Sequence, residues 1–361
     1  MVWNPVDGMR CASGIGSRPA LRYSEFCGTK MPSRWEQTVT GASVIIVTGG
    51  AGFVGSNLVH ALNSSGVDDV VVVDDLADVR KIANLSDALV VDYLDRAELL
   101  RMVATGSDDL GAVRAVLHQG ARTSTVDDDG RGVMVDNYGY SRALLRWCRT
   151  NAVPLVYASS AAVYGAATDW AEDARNEGAL NVYGWSKQVF DAHVRAELRH
   201  EGSQVVGLRY FNVYGPREDH KDDMASVIAK FDRQVRSGQP IRVFGAACGR
   251  LAGEHRRDFV HVDDVVRVVM WFLDHQEHSG IFNCGTGTSR SFNEIADLVG
   301  RYHGGAAVEH VQFPESLLGH YQSHTCADLT RLRVAGYSEA FRSIEAGIPS
   351  YLAWRDRYRA A

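Results

Sequence analysis

No apolar run in this chain is long enough to cross a bilayer. The opening residues, MVWNPVDGMRCASGIG, lack the charged start and apolar stretch of a secretory signal. The six cysteines (Cys11, Cys27, Cys148, Cys248, Cys284, Cys326) form no Cys-x-x-Cys pair and no Cys/His cluster, which argues against a disulfide framework or a metal site and for reduced thiols. There is no basic excess either. With 38 Lys+Arg against 44 Asp+Glu and a net charge of -6, bulk nucleic-acid binding is not expected. No internal repeat of solenoid length is evident. Without spans or an export signal, the expected setting is the cytoplasm, with no membrane partner.

What remains is an ordinary globular composition. The 361 residues are 45% hydrophobic and 23% charged, enough for one large or two modest domains. Residues 1–42 mix Gly, Pro, Ser and Arg with isolated aromatics (Trp3, Tyr23, Phe26, Trp35) and show no periodicity, so a disordered extension is expected, with Met31 a natural alternative start. From Ser43 onward short apolar runs alternate with helical patterns. SVIIVT, VVVVDD, LVVD ending at Asp92, AVLH ending at His118, LVYASS ending at Ser160 and VVGLRYF ending at Phe211 read as strands buried on both faces. The alternation predicts an α/β fold: a Rossmann-like, doubly wound parallel sheet with ligand sites at the strands' carboxyl ends. After Phe211 the rhythm loosens, and a smaller α/β substrate domain is expected. The predicted boundaries are 43–211 plus 257–284 for the dinucleotide-binding part, and 212–256 plus 285–361 for the substrate-binding part.

Three segments carry chemistry. In VTGGAGFVG, Gly49, Gly52 and Gly55 follow the first strand and open a helix, where small residues let the backbone approach a pyrophosphate. Asp74, about twenty residues on, ends the second strand and is placed to meet the adenosine ribose. An acid there favours NAD, while Arg80 and Lys81 nearby would offset repulsion of a 2′-phosphate, so the residues leave NAD and NADP open. In NVYGWSK, Tyr183 and Lys187 are four apart and share a helix face. A phenol titrates near pH ~10, so a neighbouring ammonium and a nicotinamide cation are needed to stabilise its phenolate. Ser160, at the end of YASS, would hydrogen-bond the substrate oxygen whose proton Tyr183 takes and returns. Together they describe redox chemistry on an alcohol carbon.

These segments resemble the extended short-chain dehydrogenase/reductases that act on nucleotide sugars. RYFNVYGPREDHKDDMAS, RRDFVHVDDV, FNCGTG and HYQSHTCADLTRLRVAGY narrow the resemblance to the ADP-heptose 6-epimerases, from about Val44 to near the C-terminus. The resemblance implies tightly bound NADP, transient oxidation at C6 of the heptose, and return of hydride to the opposite face. It implies Tyr183 and Lys221 as acid/base groups, supported by Ser160 and Lys187, and a homo-oligomer. For the cofactor it implies Phe53, Val54, Asp74, Asp75, Lys81 and Arg96, then Gln119, Gly120, Ala121, Asn137 and Val213. For the substrate it implies Asn212, Asp223, Lys230, Phe244, Arg257 and Tyr321, with Arg257 suited to a diphosphate.

Several positions depart from that pattern. Trp185 replaces a tyrosine, QGARTST replaces EGACSST after His118, Asp223 stands for a serine, Lys230 for a histidine and Arg96 for a lysine. The loop GAACGRLAGEHRRD is also longer. A UDP-hexose 4-epimerase is the alternative reading, and a non-catalytic dinucleotide sensor a further one. A dehydratase is disfavoured because Ala161 and Ala162 occupy the places of its acidic pair.

Overall fold

In the computed structural model the described residues are 43–106, 110–124, 128–319 and 321–360; the extension expected over 1–42 lies outside them. The described residues cluster as one compact unit. Its large sheet is built from β1 (Val44–Thr48), β2 (Val70–Asp74), β3 (Asp92–Asp95), β4 (Val113–His118), β5 (Leu155–Ser160) and β6 (Val205–Tyr210). The smaller sheets use β7 (Asn212–Tyr214), β8 (Ile241–Phe244) and β9 (Arg256–His261), while β10 (Gly280–Cys284) returns to the large sheet. β11 (Ser289–Ser291) and β12 (Val308–Val311) complete the set. The helices are α1 (Phe53–Ser64), α2 (Arg96–Thr105), the short α3 (Gly130–Val133), α4 (Tyr140–Thr150), α5 (Val182–Glu197) and α6 (Val227–Arg236). They continue with α7 (Val262–Asp274), α8 (Phe292–Tyr302), α9 (Thr330–Val334) and α10 (Ile344–Ala360).

The large sheet has seven strands in the order β10-β6-β5-β4-β1-β2-β3, every adjacent pair parallel. The apolar runs explain why. Successive residues point to opposite faces, and both faces are covered, so every residue of β1 and β2 is buried. Ile45, Val47, Val70, Val72, Leu117 and Leu208 meet Leu58 and Leu62 of α1 and Val265, Val269 and Phe272 of α7. The intervening Ile46, Val71 and Val116 are buried on the opposite face. The doubly wound reading holds.

The third strand is displaced from its expected place. LVVD was the apolar run, yet the strand begins at Asp92 and pairs Val71 with Asp92 and Val73 with Leu94. Leu89 and Val90 are exposed instead, because Asn63 takes the Leu89 backbone in two hydrogen bonds and holds it off the sheet. Only Leu94 then reaches the core.

Two further sheets lie beyond the carboxyl ends. β9 pairs in parallel with β7 and antiparallel with β11, and β8 pairs in parallel with β12. A separate apolar cluster joins Ile228 and Phe231 of α6, Ile241 and Val243 of β8, Ile295 and Val299 of α8, and Ile348 and Leu352 of α10. The strand order reverses between β1 and β4, so the loops after these two strands diverge and leave a crevice between them.

Candidate active site

That crevice continues into a cleft of about 680 Å³ running from the glycine turn to the segment after β7. Gly49 has φ +64°, and a Cβ there would sit 2.6 Å from the Gly120 backbone. A Cβ on Gly55 would stand 2.1 Å from the Gly49 carbonyl. Glycine is therefore required where the two crevice loops touch and where the helix packs back on its own turn. Gly52 caps α1 with no side chain, which leaves the first-turn N–H groups, near Phe53 and Val54, facing the cleft as an anion site.

Beside the glycine turn Asp74 is buried. Its carboxylate accepts the Ala51 N–H (3.1 Å) and pairs with Lys81 Nζ (2.9 Å). Lys81 also reaches Asp75 at 3.4 Å, and Arg96 pairs with Asp136 at 2.8 Å; all of these groups line the cleft. Arg80 does not share this site. It turns away to Asp78 and Asp222, so the cations that line the cleft beside Asp74 and Asp75 are Lys81 and Arg96.

Midway along, Gln119, Gly120 and Ala121 follow β4 into the cleft. Tyr210 donates to Gln119 Oε1 at 2.9 Å, which leaves the buried Gln119 Nε2 without a protein partner. A ligand acceptor is the natural partner for such a donor. His118 sits beneath, with Thr48 Oγ1 2.6 Å from Nδ1 and Ser141 Oγ 2.8 Å from Nε2. Burial and the nearby Lys187 ammonium push its pKa down to about 3, so the ring is neutral. Asn137 is not a cleft wall. It lies in a π-helical turn between α3 and α4, and its amide holds the Arg122 backbone (2.8 and 2.9 Å) and Ser186 (3.0 Å). It ties the loop after β4 to α5.

Ser160, Tyr183 and Lys187 converge on the same cleft. α5 starts where it does because the Asn181 side chain caps the Gly184 N–H at 2.9 Å. Tyr183 is hydrogen-bonded to Ser160; burial pushes its phenol up and that bond pulls it down. The net direction is upward, so the protein's own groups hold Tyr183 protonated at neutral pH. Lys187 donates to the Ala158 carbonyl at 2.8 Å, and burial lowers its pKa to about 8 against the opposing charge of Asp191. Asp191 is itself fully buried and accepts from Tyr157 (2.8 Å), Ser159 (2.9 Å) and Arg209 (2.9 Å). Arg209 continues to Glu177 and stacks on Tyr164. Asp191 was not singled out from the sequence, although it stands four residues after Lys187 and so shares the Tyr183–Lys187 face.

Lys221 lines the same cleft from a tight turn, Asp219–Met224. Its Nζ lies 5.5 Å from the centre of the Phe53 ring. Burial lowers its pKa and Lys230 adds to that, while Glu218 opposes. Asn212 and Val213 of β7 also face the cleft. The remaining substrate candidates lie apart from this lining. Asp223 is exposed and Lys230 half-buried, on the turn and on α6. Phe244, Arg257 and Tyr321 form a second group. The buried Arg257 guanidinium lies 4.6 Å from the Tyr321 ring centre, and Tyr321 meets Phe244, Phe313 and His255 edge to face. His255 and Phe313 were missed, since neither stands in a motif. Arg257 makes no ion pair among the described residues, and a buried cation of this kind suits an anionic ligand. No helix among the described residues is long and apolar enough to cross a membrane.

Comparison with known proteins agrees with this geometry. A curated ADP-L-glycero-D-manno-heptose-6-epimerase of Alkalilimnicola ehrlichii is 51% identical over 309 residues, 86% of this chain and 96% of the relative. The crystal structure of the Helicobacter pylori ADP-L-glycero-D-manno-heptose-6-epimerase superposes with a TM-score of 0.74 at 28% identity, covering 88% of this chain and 97% of that one. The Thermus thermophilus UDP-glucose 4-epimerase, solved as a complex with NAD, gives 0.71 at 27% identity over 88% and 99%. Residues 45–285 match the profile of the NAD dependent epimerase/dehydratase family, and the chain belongs to that family.

Proposed function

We propose that this chain epimerises C6 of an ADP-heptose, interconverting ADP-D-glycero-D-manno-heptose and its L-glycero epimer. The observation that carries the reading is that Tyr183, Ser160, Lys187 and Lys221 all line a single cleft that begins at the glycine turn. The likeness to the Alkalilimnicola ehrlichii enzyme supports the substrate.

The nicotinamide dinucleotide, when bound, supplies a reversible hydride acceptor. Ser160 holds the C6 oxygen, and Tyr183 takes its proton as hydride leaves. Lys187 steadies the phenolate electrostatically and holds the nicotinamide ribose. The ketone that results is planar at C6. Inversion requires hydride to return to its other face, with a proton supplied to the oxygen in its new position. We assign that proton to Lys221, whose ammonium lines the same cleft over the Phe53 ring. The cofactor fits on the protein's own terms: glycines leave the turn open, and Gln119 Nε2 offers an unspent donor. Lys81 and Arg96, on the cleft lining with Asp74 and Asp75, support NADP over NAD, since two cations there would suit a 2′-phosphate. Arg257 with Tyr321, Phe244 and Lys230 would take the nucleoside diphosphate, and Asp223 the rim of the sugar pocket. Exposed Val135 and Trp185, on neighbouring helical segments of the cofactor half, support self-association there.

The test is direct. The purified protein is incubated with ADP-D-glycero-D-manno-heptose without added cofactor, and C6 configuration is followed by NMR. Conversion is expected, with NADP released on denaturation and identified by mass. Absence of conversion while UDP-glucose is epimerised at C4 would overturn the reading.

A further inference from the structure

Lys221 sits on a turn whose other residues are almost all committed to different elements. Glu218 is fully buried, and its carboxylate accepts from the Gly215 N–H (3.3 Å), the Ser226 N–H (2.5 Å) and Ser226 Oγ (2.7 Å), fixing the turn to the start of α6. Asp219 pairs at 2.8 Å with Arg355 of α10, a fully buried guanidinium that also pairs with Asp232 of α6 at 2.8 Å. The His220 carbonyl accepts from Arg80 at 3.0 Å, and its ring nitrogen lies 3.2 Å from the Asn84 amide, which in turn donates to Ala51 in the glycine turn. Asp222 pairs with Arg80 at 2.7 Å, and its carbonyl accepts from Arg233 at 2.8 Å.

The backbone shows what these contacts achieve. Asp222 has φ 45° and ψ -111°, a conformation that a non-glycine residue keeps only when its surroundings enforce it. Lys221, between the pinned residues 220 and 222, makes no ion pair among the described residues, and its ammonium is left over the Phe53 ring in the cleft. A lysine on a solvated loop would need none of this. The segment REDHKDDMAS thus reads as one catalytic side chain and the anchors that aim it.

We propose that Arg80 and Arg355 are positioning residues for Lys221, acting through Asp222 and His220 on one side and Asp219 on the other. The inference rests on the reading of Lys221 as an acid/base group. Arg80 joins the turn to the segment after β2, whose next residue, Lys81, holds Asp74. Arg355 joins it to the C-terminal helix, far away in the chain.

The experiment is a double-mutant cycle on the full chain with its bound cofactor. Epimerisation kcat and KM are measured for Arg80→Gln, Lys221→Met and the double variant, with Asp219→Asn and its own Lys221→Met double as the second arm. Asp219 is used because it is partly exposed, so its substitution spares the buried Arg355–Asp232 pair. Each anchor substitution is expected to lower kcat about tenfold with KM little changed, as a misplaced catalytic group does. In the Lys221→Met background the same substitutions should change nothing further. Arg80→Lys should recover part of the loss. Losses that multiply in the doubles, or an unchanged kcat in both anchors, would overturn the positioning claim alone. Full activity of Lys221→Met would instead overturn the reading beneath it.

Discussion

Tyr183 and Lys221 face one cleft from supports of opposite kinds. Tyr183 stands on a capped sixteen-residue helix backed by a buried network, Asp191 to Arg209 to Glu177. Its direction follows from helix periodicity and core packing. Lys221 stands on a short turn with a strained neighbour, aimed by hydrogen bonds and ion pairs, several of which are solvent-exposed. One group is placed by burial, the other by pairing between residues far apart in the chain. Single changes in the first kind of support should cost much, because each leaves a buried charge unpaired, while in the second each exposed pair contributes little on its own.

The largest effect should come from the rigid side. Tyr183→Phe keeps the ring and its packing but removes the proton carrier. Turnover is expected to fall on the order of a thousandfold, with dinucleotide still co-purifying. NMR at C6 and the mass of the released cofactor check both parts, and near-normal epimerisation would break the comparison at its firmer end. Lys221→Met should cost about a hundredfold, within the range for one general acid/base group. If Lys221 and Tyr183 each serve one face of the ketone, this variant should still pass hydride reversibly between C6 of one epimer and the bound nicotinamide while failing with the other epimer. Mixing the variant with each epimer separately and following the absorbance of the reduced nicotinamide distinguishes that from a uniform slowing.

The same contrast explains what the sequence made legible. The large sheet and the positions of Gly49, Asp74, Ser160, Tyr183 and Lys187 followed from alternation of apolar residues and from motif spacing, both local signals. The third strand was misjudged because LVV looked like core, and Asn63, reaching from α1, decided otherwise. Asp191 could have been found by extending the four-residue helical step once more. Lys221 was visible only through a family likeness, and its anchors not at all. No periodicity connects Arg80 or Arg355 to residue 221. Phe313 and His255, packed around Tyr321, likewise share no motif with it.

Cofactor choice lies between the two regimes. Lys81 is half-buried yet set by a pair, with Asp74. Lys81→Met is expected to weaken NADP retention about tenfold and to leave NAD retention nearly unchanged, as loss of one phosphate cation should. Titration of apo-protein with each dinucleotide gives the ratio. An equal loss for both would reassign Lys81 to holding Asp74 alone.

The smallest expected change is a shift rather than a loss. Lys187 must be charged to steady the Tyr183 phenolate, and burial lowers its pKa to about 8, with Asp191 as the charge that opposes the fall. Around Lys187, β5 presents the Ala158 carbonyl and Ser160, β4 presents His118, and α5 itself presents Tyr183 and Asp191. His118 is neutral, and Arg209 stands beyond Asp191, already paired with it. Activity that needs protonated Lys187 is present below about pH 8 and lost above it. Asp191→Asn removes the opposing charge, so the alkaline limb of the pH–rate profile should move to lower pH while the plateau rate at its new optimum changes little. Stability carries the opposite sign. With a folded pKa of about 8 below the unfolded value of 10.5, the unfolded chain binds more protons between them, so stability should rise with pH across that window. Lys187→Met should abolish that rise in thermal melts. An alkaline limb that stays in place in Asp191→Asn would mean that the buried network shapes α5 without tuning it, and that core burial alone places the rigid half of the site.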